Sequence, residues 1–221
     1  MSHSTATTLV QVVSISTALI ASGGILSLSL FTIPLLTSQP ASRSLPQIRW
    51  LFSRGSHVFP PASIIPSTGF IYLAITSLPS AQSLTQIVNF VSNDRKVDGN
   101  LLAGGLSVSI ALFTKLVMIP TNFELIERNE ELGGERSEKS AREGEGKGKL
   151  GGRSARDSVE GKGDINEFGD LSGPQERTER GGTAEDERVV RELLEKFKWL
   201  NLCRAVLIGC GGVVGLVTAI A

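Results

Sequence analysis

Charged residues are absent from two long stretches of the sequence, although the overall composition looks like that of a soluble protein. There is no Lys, Arg, Asp or Glu in residues 1–40 or in residues 55–93. The 221-residue chain nevertheless carries 22 basic and 22 acidic residues, most of them between Glu127 and Lys198. Because the two signs are interleaved, the concentrated positive charge of a nucleic-acid-binding protein is missing. The uncharged stretches instead predict membrane-crossing segments, with the lipid bilayer as partner.

Cysteine and histidine are also scarce, with two residues of each. Cys203 and Cys210 lie seven residues apart in one apolar segment, too far for a disulfide within a helix, and we expect both thiols to be buried. The scarcity of these two residue types excludes a framework of several disulfides and argues against a metal site built from Cys and His. The glycine-rich run at residues 144–152 has no strand before it and no helix after it, so it does not indicate a phosphate-binding loop.

Four apolar segments are long enough to cross a bilayer, namely residues 9–30, 60–78, 101–120 and 200–221. Pro34 marks the expected end of the first span, and Pro60 with Pro61 marks the expected start of the second. Small residues at Gly23-Gly24 suit close helix packing, and the GxxxG pair of the last span is a weaker indication of it. The sequence therefore predicts an all-α, polytopic membrane protein with a bundle of four transmembrane helices.

The chain divides into three regions. Residues 1–126 hold the first three spans and short connectors. Residues 127–182 contain a single aromatic residue, and this charged, Gly-rich insert predicts a long disordered loop between helices 3 and 4. Residues 183–221 predict an amphipathic helix that leads into the fourth span, and Thr183 with Asp186 resembles a capping box. The positive-inside rule places the loops between spans 1 and 2 and between spans 3 and 4 in the cytosol and both termini in the lumen, by default of the endoplasmic reticulum.

Three ionisable residues near the ends of the spans are candidates for chemistry. His57 could serve as a general base, because histidine changes charge near neutral pH, although an interfacial histidine bonded to backbone is the commoner explanation of such a residue. Lys115 and Arg204 lie inside spans, where such groups either extend toward the interface or mark a site. Arg204 has aromatic and amide neighbours in Trp199 and Asn201, and with them it could hold an anionic oxygen.

The order of these landmarks resembles the anthrone oxygenase family, small four-helix membrane proteins of fungal polyketide pathways. The first span is rich in Gly and Ser and ends at Pro34, and Trp50 with a turn at residues 55–60 precedes the second span. The third span ends in the sequence IPTNFEL, and a W-x-N-x-x-R stretch at residues 199–204 opens the fourth. The resemblance covers all four spans, and the charged insert looks like an expansion of a shorter connector.

The resemblance implies a monooxygenase-type oxidation of an anthrone to an anthraquinone by O₂, without metal or flavin. The implied ligand is an apolar polyaromatic small molecule. Such chemistry needs a base for the methylene proton, for which we expect His57, and donors to the enolate oxygen, for which we expect Arg204 and Asn122. The expected substrate-binding residues are Trp50, Lys115, Thr121, Trp199 and Asn201. The alternatives are a non-enzymatic tetraspan scaffold, which would recruit partners through its charged loop, and a small-molecule carrier; a homo-oligomer is compatible with each.

Overall fold

The computed structural model of the protein describes residues 5–78, 94–144 and 170–221, and this part of the chain is helical with no strand. Four long helices and one short helix follow each other along the chain. They are α1 (Thr5–Thr37), α2 (Ala41–Ser77), α3 (Arg95–Glu131), α4 (Glu138–Gly144) and α5 (Ala184–Ile220). Each of the four long helices is long and apolar enough to cross a membrane. The predicted all-α, four-span fold of a multi-pass membrane protein is confirmed.

The helices are longer than the spans predicted from sequence, because prolines do not end them. A π-helical turn at Leu28–Thr32 precedes Pro34 in α1, and another at Thr114–Met118 precedes Pro120 in α3. Such a turn shifts the hydrogen-bond pattern, so a proline without an N–H can follow in the same helix. The prediction that Pro34 ends the first span is therefore wrong. The predicted polar connector before Pro60 is likewise helical, since it belongs to α2.

The chain separates into two compact units, to each of which all four long helices contribute residues. The first unit comprises Met1–Ser27, Val58–Lys115 and Asn201–Ala221, and the second comprises Leu28–His57 and Leu116–Leu200. In the described part of the first unit, serine hydroxyls bond to carbonyls of neighbouring helices. Ser22 Oγ donates to Ala205 O at 2.8 Å, Ser63 Oγ to Ser107 O at 3.1 Å, and Ser67 Oγ to Gly104 O at 3.1 Å. Such bonds join helices where the bilayer offers no other partner.

Two glycines of α5 allow close approach of neighbouring helices within the first unit. A Cβ atom at Gly211 would lie 3.0 Å from the carbonyl oxygen of Ala103 in α3, and one at Gly215 would lie 2.3 Å from the ring of Phe70 in α2. The GxxxG pair therefore packs tightly. Gly23 and Gly24 have no atom within 4 Å of the corresponding position. The prediction that they pack closely is wrong, because that side of α1 faces outward.

The two cysteines also face outward. Both Cys203 and Cys210 are exposed, so the prediction of buried thiols is wrong. Their seven-residue spacing does place them on one face of α5, but that face is turned away from the protein. Apolar character alone does not distinguish a core position from a lipid-facing one in a membrane helix.

In the second unit, the start of α5 is fixed by the predicted capping box. Thr183 N donates to Asp186 Oδ2 at 2.8 Å, and Asp186 N donates to Thr183 Oγ1 at 3.2 Å. One turn later, Glu187 accepts hydrogen bonds from Ala41 N at 2.9 Å with both carboxylate oxygens. This acid satisfies an orphan donor at the N-terminus of α2. The apolar positions expected to line an amphipathic helix are all buried: Val190, Leu193, Leu194 and Phe197.

The predicted disordered insert has ordered ends. Residues 127–131 continue α3, and residues 170–180, an irregular segment with bends, are bonded to α2 and to the turn after α3. Thr178 N donates to Ser42 O at 2.8 Å, and Arg180 N donates to Leu132 O at 2.9 Å. Composition underestimated this order because it arises from hydrogen bonds to neighbouring helices and not from apolar residues of the segment itself. The rest of the prediction, on residues 145–169, lies outside the described residues.

Candidate functional site

The predicted site residues are divided between the two units. Lys115, Asn201 and Arg204 belong to the first unit, and the second contains Trp50, His57, Thr121, Asn122 and Trp199. The structure brings Asn201 and Arg204 into direct contact. The prediction that Asn122 acts with Arg204 on one oxygen stays a prediction, because the two residues belong to different units.

A buried arginine–asparagine pair is the main polar feature of the first unit. Arg204 Nη1 donates to Asn201 Oδ1 at 3.0 Å, across one turn of α5. Asn201 is 1% exposed and Arg204 is 7% exposed. The Arg204 guanidinium carbon lies 5.1 Å from the ring centroid of Phe59, a distance at which cation and ring attract each other. Phe59 was missed from sequence, where it appeared to be the last residue of a polar connector.

The pair leaves two N–H donors without a partner among the described residues. Guanidinium carries only donors, so the amide atom that faces Arg204 must be the oxygen of Asn201, and its nitrogen points elsewhere. Asn201 Nδ2 and Arg204 Nε are both buried and form no hydrogen bond within the described chain. These two donors lie on one turn of a helix, and one of them belongs to a cationic group. Together they could donate hydrogen bonds to a negatively charged oxygen.

An apolar cluster lies beside the pair in the described part of the first unit. Phe59 packs against a buried apolar cluster of the first unit, to which Ala205 belongs. The buried members of this cluster are Ala18, Ala21, Ile25, Ile110, Ala205 and Ile208. Among the described residues of this unit the acids are Asp94 and Asp98 alone, at the start of α3. Asp94 already accepts a hydrogen bond from Lys96 N at 2.8 Å. An arginine buried without a counter-ion is costly, several kcal/mol per ion after relaxation.

A second set of buried polar groups lies on the last turns of α3, in the second unit. Thr121 Oγ1, Asn122 Oδ1 and both amide atoms of Asn129 have no hydrogen-bond partner within the described chain. Asn129 is fully buried, and its amide packs against Gly134, where a Cβ atom would lie 2.1 Å from Asn129 Oδ1. Sequence reading missed Asn129, although its spacing of eight residues from Thr121 places both on one helix face.

The remaining predicted site residues have more ordinary surroundings. Trp50 Nε1 donates to Ser172 O at 2.9 Å, and Arg54 lies 5.4 Å from the ring centroid, so this indole is already engaged within the second unit. Trp199 is 59% exposed with Lys198 over its ring, an arrangement typical of an interfacial anchor. Lys115 is exposed, which favours an extended side chain, and His57 is half-buried in α2.

A buried carboxylate anchors residues 170–180 in the second unit. Asp170 accepts hydrogen bonds from Ser137 Oγ at 2.5 Å and from Ser172 N at 2.9 Å, and Arg136 lies 4.0 Å away. Burial alone would raise the pKa of Asp170, but the hydrogen bonds from Ser137 and Ser172 and the charge of Arg136 together lower the pKa to about 2. The carboxylate is therefore ionised at neutral pH and holds the segment in place.

The described residues contain no group of three His, Cys, Asp or Glu side chains placed to hold a metal ion. A surface depression of about 440 Å³ lies on the first turns of α5, in the second unit. It is lined by Ala184, Glu187, Arg188, Arg191 and Glu192. None of these side chains was predicted as a site residue. The mixture of acidic and basic side chains that line the depression is typical of a solvated helix face.

The sequence model of the anthrone oxygenase family matches residues 49–156 of this chain. The match contains Trp50, His57, Lys115, Thr121 and Asn122, whereas the tryptophan, asparagine and arginine at the start of the fourth span lie beyond it. No curated protein and no solved structure matches the chain. The match confirms the resemblance found in the sequence.

Proposed function

Because residues 49–156 match the sequence model of the anthrone oxygenase family, we propose that the chain is a membrane-embedded oxygenase that oxidises an anthrone-like polyaromatic to a quinone without a cofactor. The reaction consumes one O₂ and releases one water: the substrate methylene becomes a carbonyl. The observation that carries this proposal is the buried Arg204–Asn201 pair, whose Arg204 Nε and Asn201 Nδ2 donors have no hydrogen-bond partner among the described residues.

The chemistry requires an anion and its stabilisation. Loss of a methylene proton converts the anthrone into its enolate, in which the negative charge is shared between the oxygen and the ring. The electron-rich enolate passes one electron to O₂, and the substrate radical and superoxide combine at the former methylene carbon to give a peroxide anion. This anion takes back the proton held by the base, and the hydroperoxide then loses water, with the remaining hydrogen of that carbon, to give the second carbonyl. The step that a protein can accelerate most directly is enolate formation, which needs a base and donors aimed at the oxygen.

Arg204 and Asn201 supply those donors in the proposed mechanism. Arg204 Nε and Asn201 Nδ2 bind the enolate oxygen, and the guanidinium charge offsets the charge that develops there. Asn201 Oδ1 fixes the guanidinium through the 3.0 Å hydrogen bond, and the Phe59 ring covers it. The apolar cluster around the pair suits a flat polyaromatic ligand. His57 is the proposed base, a role that rests on the chemistry of histidine and on no contact of the structure.

The test is oxygen uptake and quinone absorbance in membranes that carry the full-length protein, supplied with a simple anthrone. Membranes without the protein correct for spontaneous oxidation. Removal of an oxyanion donor typically lowers kcat by about 10²–10³-fold, so we expect a loss of this size for Arg204→Met. Cys203→Ser is the matched control, because this neighbouring side chain is exposed and its variant should keep full turnover.

Two further outcomes decide between the roles. Full turnover by His57→Ala would exclude this residue as the base and leave the donor pair standing. If no member of a panel of anthrones were oxidised by folded protein in the membrane, the oxygenase proposal would be wrong, and the four helices would be better explained as a scaffold.

We also propose a location and an orientation for the chain. The endoplasmic reticulum is the proposed compartment. In the proposed orientation, the connectors between spans 1 and 2 and between spans 3 and 4 are cytosolic, and both termini are lumenal. Four spans place both termini on one side, which is testable by glycosylation acceptors appended to each end. Modification of one end alone would contradict the topology.

A further inference from the structure

We propose that the Arg204–Asn201 pair is a binding site for ionised aromatic hydroxyls, that is for phenolates and enolates of flat polycyclic molecules. This inference rests on the proposed function, because it names the ligand class of the same site. It goes further in one respect: the anion is bound in the ground state, so a hydroxyquinone product and non-reacting phenols are ligands as well as the substrate.

The charge of the site favours an anionic occupant. The described charged residues of the first unit are, besides Arg204, the exposed Lys115 and four residues at the start of α3: Asp94, Arg95, Lys96 and Asp98. Phe59 of α2 lies over the guanidinium and packs against an apolar cluster that includes Ala205 of α5, Ala21 and Ile25 of α1 and Ile110 of α3. The Ser22 hydroxyl of α1, which is not titratable, bonds to Ala205 O. Since no titratable group of these packing residues opposes the guanidinium, an ionised oxygen would supply the missing counter-charge.

The donors and the apolar walls together select the kind of anion. Both free groups are N–H donors, so a neutral hydroxyl would leave its own proton without an acceptor at this pair. Phosphate and carboxylate ions concentrate their charge on a few strongly hydrated oxygens, and their transfer into an apolar cluster is expensive. A phenolate spreads its charge over its ring and buries that ring against apolar side chains. The pair therefore favours aromatic oxyanions over small inorganic ones.

Ligand ionisation can be measured without turnover. The probe is 2-hydroxyanthraquinone, whose phenol and phenolate absorb at different visible wavelengths, added to full-length protein in lipid nanodiscs. An opposite charge within hydrogen-bonding distance typically lowers a pKa by about 1–3 units, so we expect the bound dye to ionise at a pH lower by that amount than in solution. In empty nanodiscs the apolar environment should shift its ionisation in the opposite direction.

Asn201→Asp is the decisive variant. It places a carboxylate where Arg204 already has its hydrogen bond, so the guanidinium gains an internal partner and the fold keeps its arginine. We expect the lowered pKa of the dye to be lost in Asn201→Asp and kept in Cys203→Ser. The methyl ether of the same dye, which cannot ionise, should bind wild type and Asn201→Asp equally.

Each result has a defined meaning. A dye that fails to bind, or that binds wild type with no lowering of its pKa, overturns the inference, and so does an unchanged shift in Asn201→Asp. Oxygen uptake in the same nanodiscs separates the two proposals. A shifted dye without turnover of any anthrone would contradict the oxygenase proposal alone, and turnover without a shifted dye would contradict the anion site alone.

Discussion

The contact between Gly215 and Phe70 gives a stability prediction whose size follows from the geometry. A Cβ atom at Gly215 would lie 2.3 and 2.5 Å from two ring carbons of Phe70, far inside van der Waals contact. Phe70 is fully buried and shares a cluster with Leu73 and Ala103, so its ring has little room to move. We therefore expect Gly215→Ala to destabilise the packing of α5 against α2.

Two opposing terms set the measured change. Overpacking of a dense core typically costs about 1–3 kcal/mol, whereas replacing glycine by alanine inside a helix contributes about 0.5–1 kcal/mol of stability. Gly24→Ala measures the second term alone, because Gly24 is also helical but has no atom within 4 Å of its Cβ position. The stability difference between the two variants should thus be about 1–3 kcal/mol, or roughly 5- to 150-fold in the folding equilibrium.

The assay is reversible unfolding of the full-length protein by denaturant in detergent, read by circular dichroism. Phe70→Leu removes the ring atoms that clash with the new methyl group, so the double variant with Gly215→Ala should lose less stability than the sum of its two single variants. If Gly215→Ala proved as stable as Gly24→Ala, the close approach of α5 and α2 would not exist in solution, and the packing described for the first unit would be wrong.

The remaining predictions concern the second unit and the charged insert. Asp170→Asn should increase hydrogen exchange of the Ser172 and Thr178 amides, whereas Glu138→Gln, on an exposed ion pair with Arg142, should leave it unchanged; equal exchange in both would contradict the anchor. The folded pKa of about 2 lies below the ordinary value of 3.8, so this anchor should persist at neutral pH and be lost as the pH falls from about 4 to about 2. Replacing residues 145–169 with about ten Gly/Ser residues should preserve turnover; loss of turnover in folded protein would show that the insert serves the reaction.

The helical character of the chain was predictable because it depends on local properties. Uncharged apolar runs identify spans at any position in a fold, since the bilayer imposes a minimum length and excludes charge. The capping box of Thr183 and Asp186 was equally accessible, because both partners lie within one turn. The predictions from two prolines were wrong. Pro34 was expected to end a helix, but it follows a π-helical turn inside α1, and Pro60 was expected to begin a helix, but it lies within α2.

The candidate site was predictable only in its residue types. Sequence identified Arg204 and Asn201 as neighbours on a helix turn, and the hydrogen bond between them follows from that spacing. It could not show that Phe59 lies over the guanidinium or that Asn129 is buried without a partner, because both depend on residues distant in the chain. Nor could it show that Trp50 is engaged by Ser172, more than a hundred positions away.

The sequence by itself determined that the protein is helical and has four helices long and apolar enough to cross a membrane. These conclusions follow from hydropathy and short-range spacing, which act within a helix. Tertiary structure alone decided which faces are buried: Gly211 and Gly215 lie inside, whereas Gly23, Gly24 and both cysteines lie outside. The physical reason is that lipid and protein core are equally apolar, so burial in a membrane protein is set by the fit of neighbouring helices and not by composition.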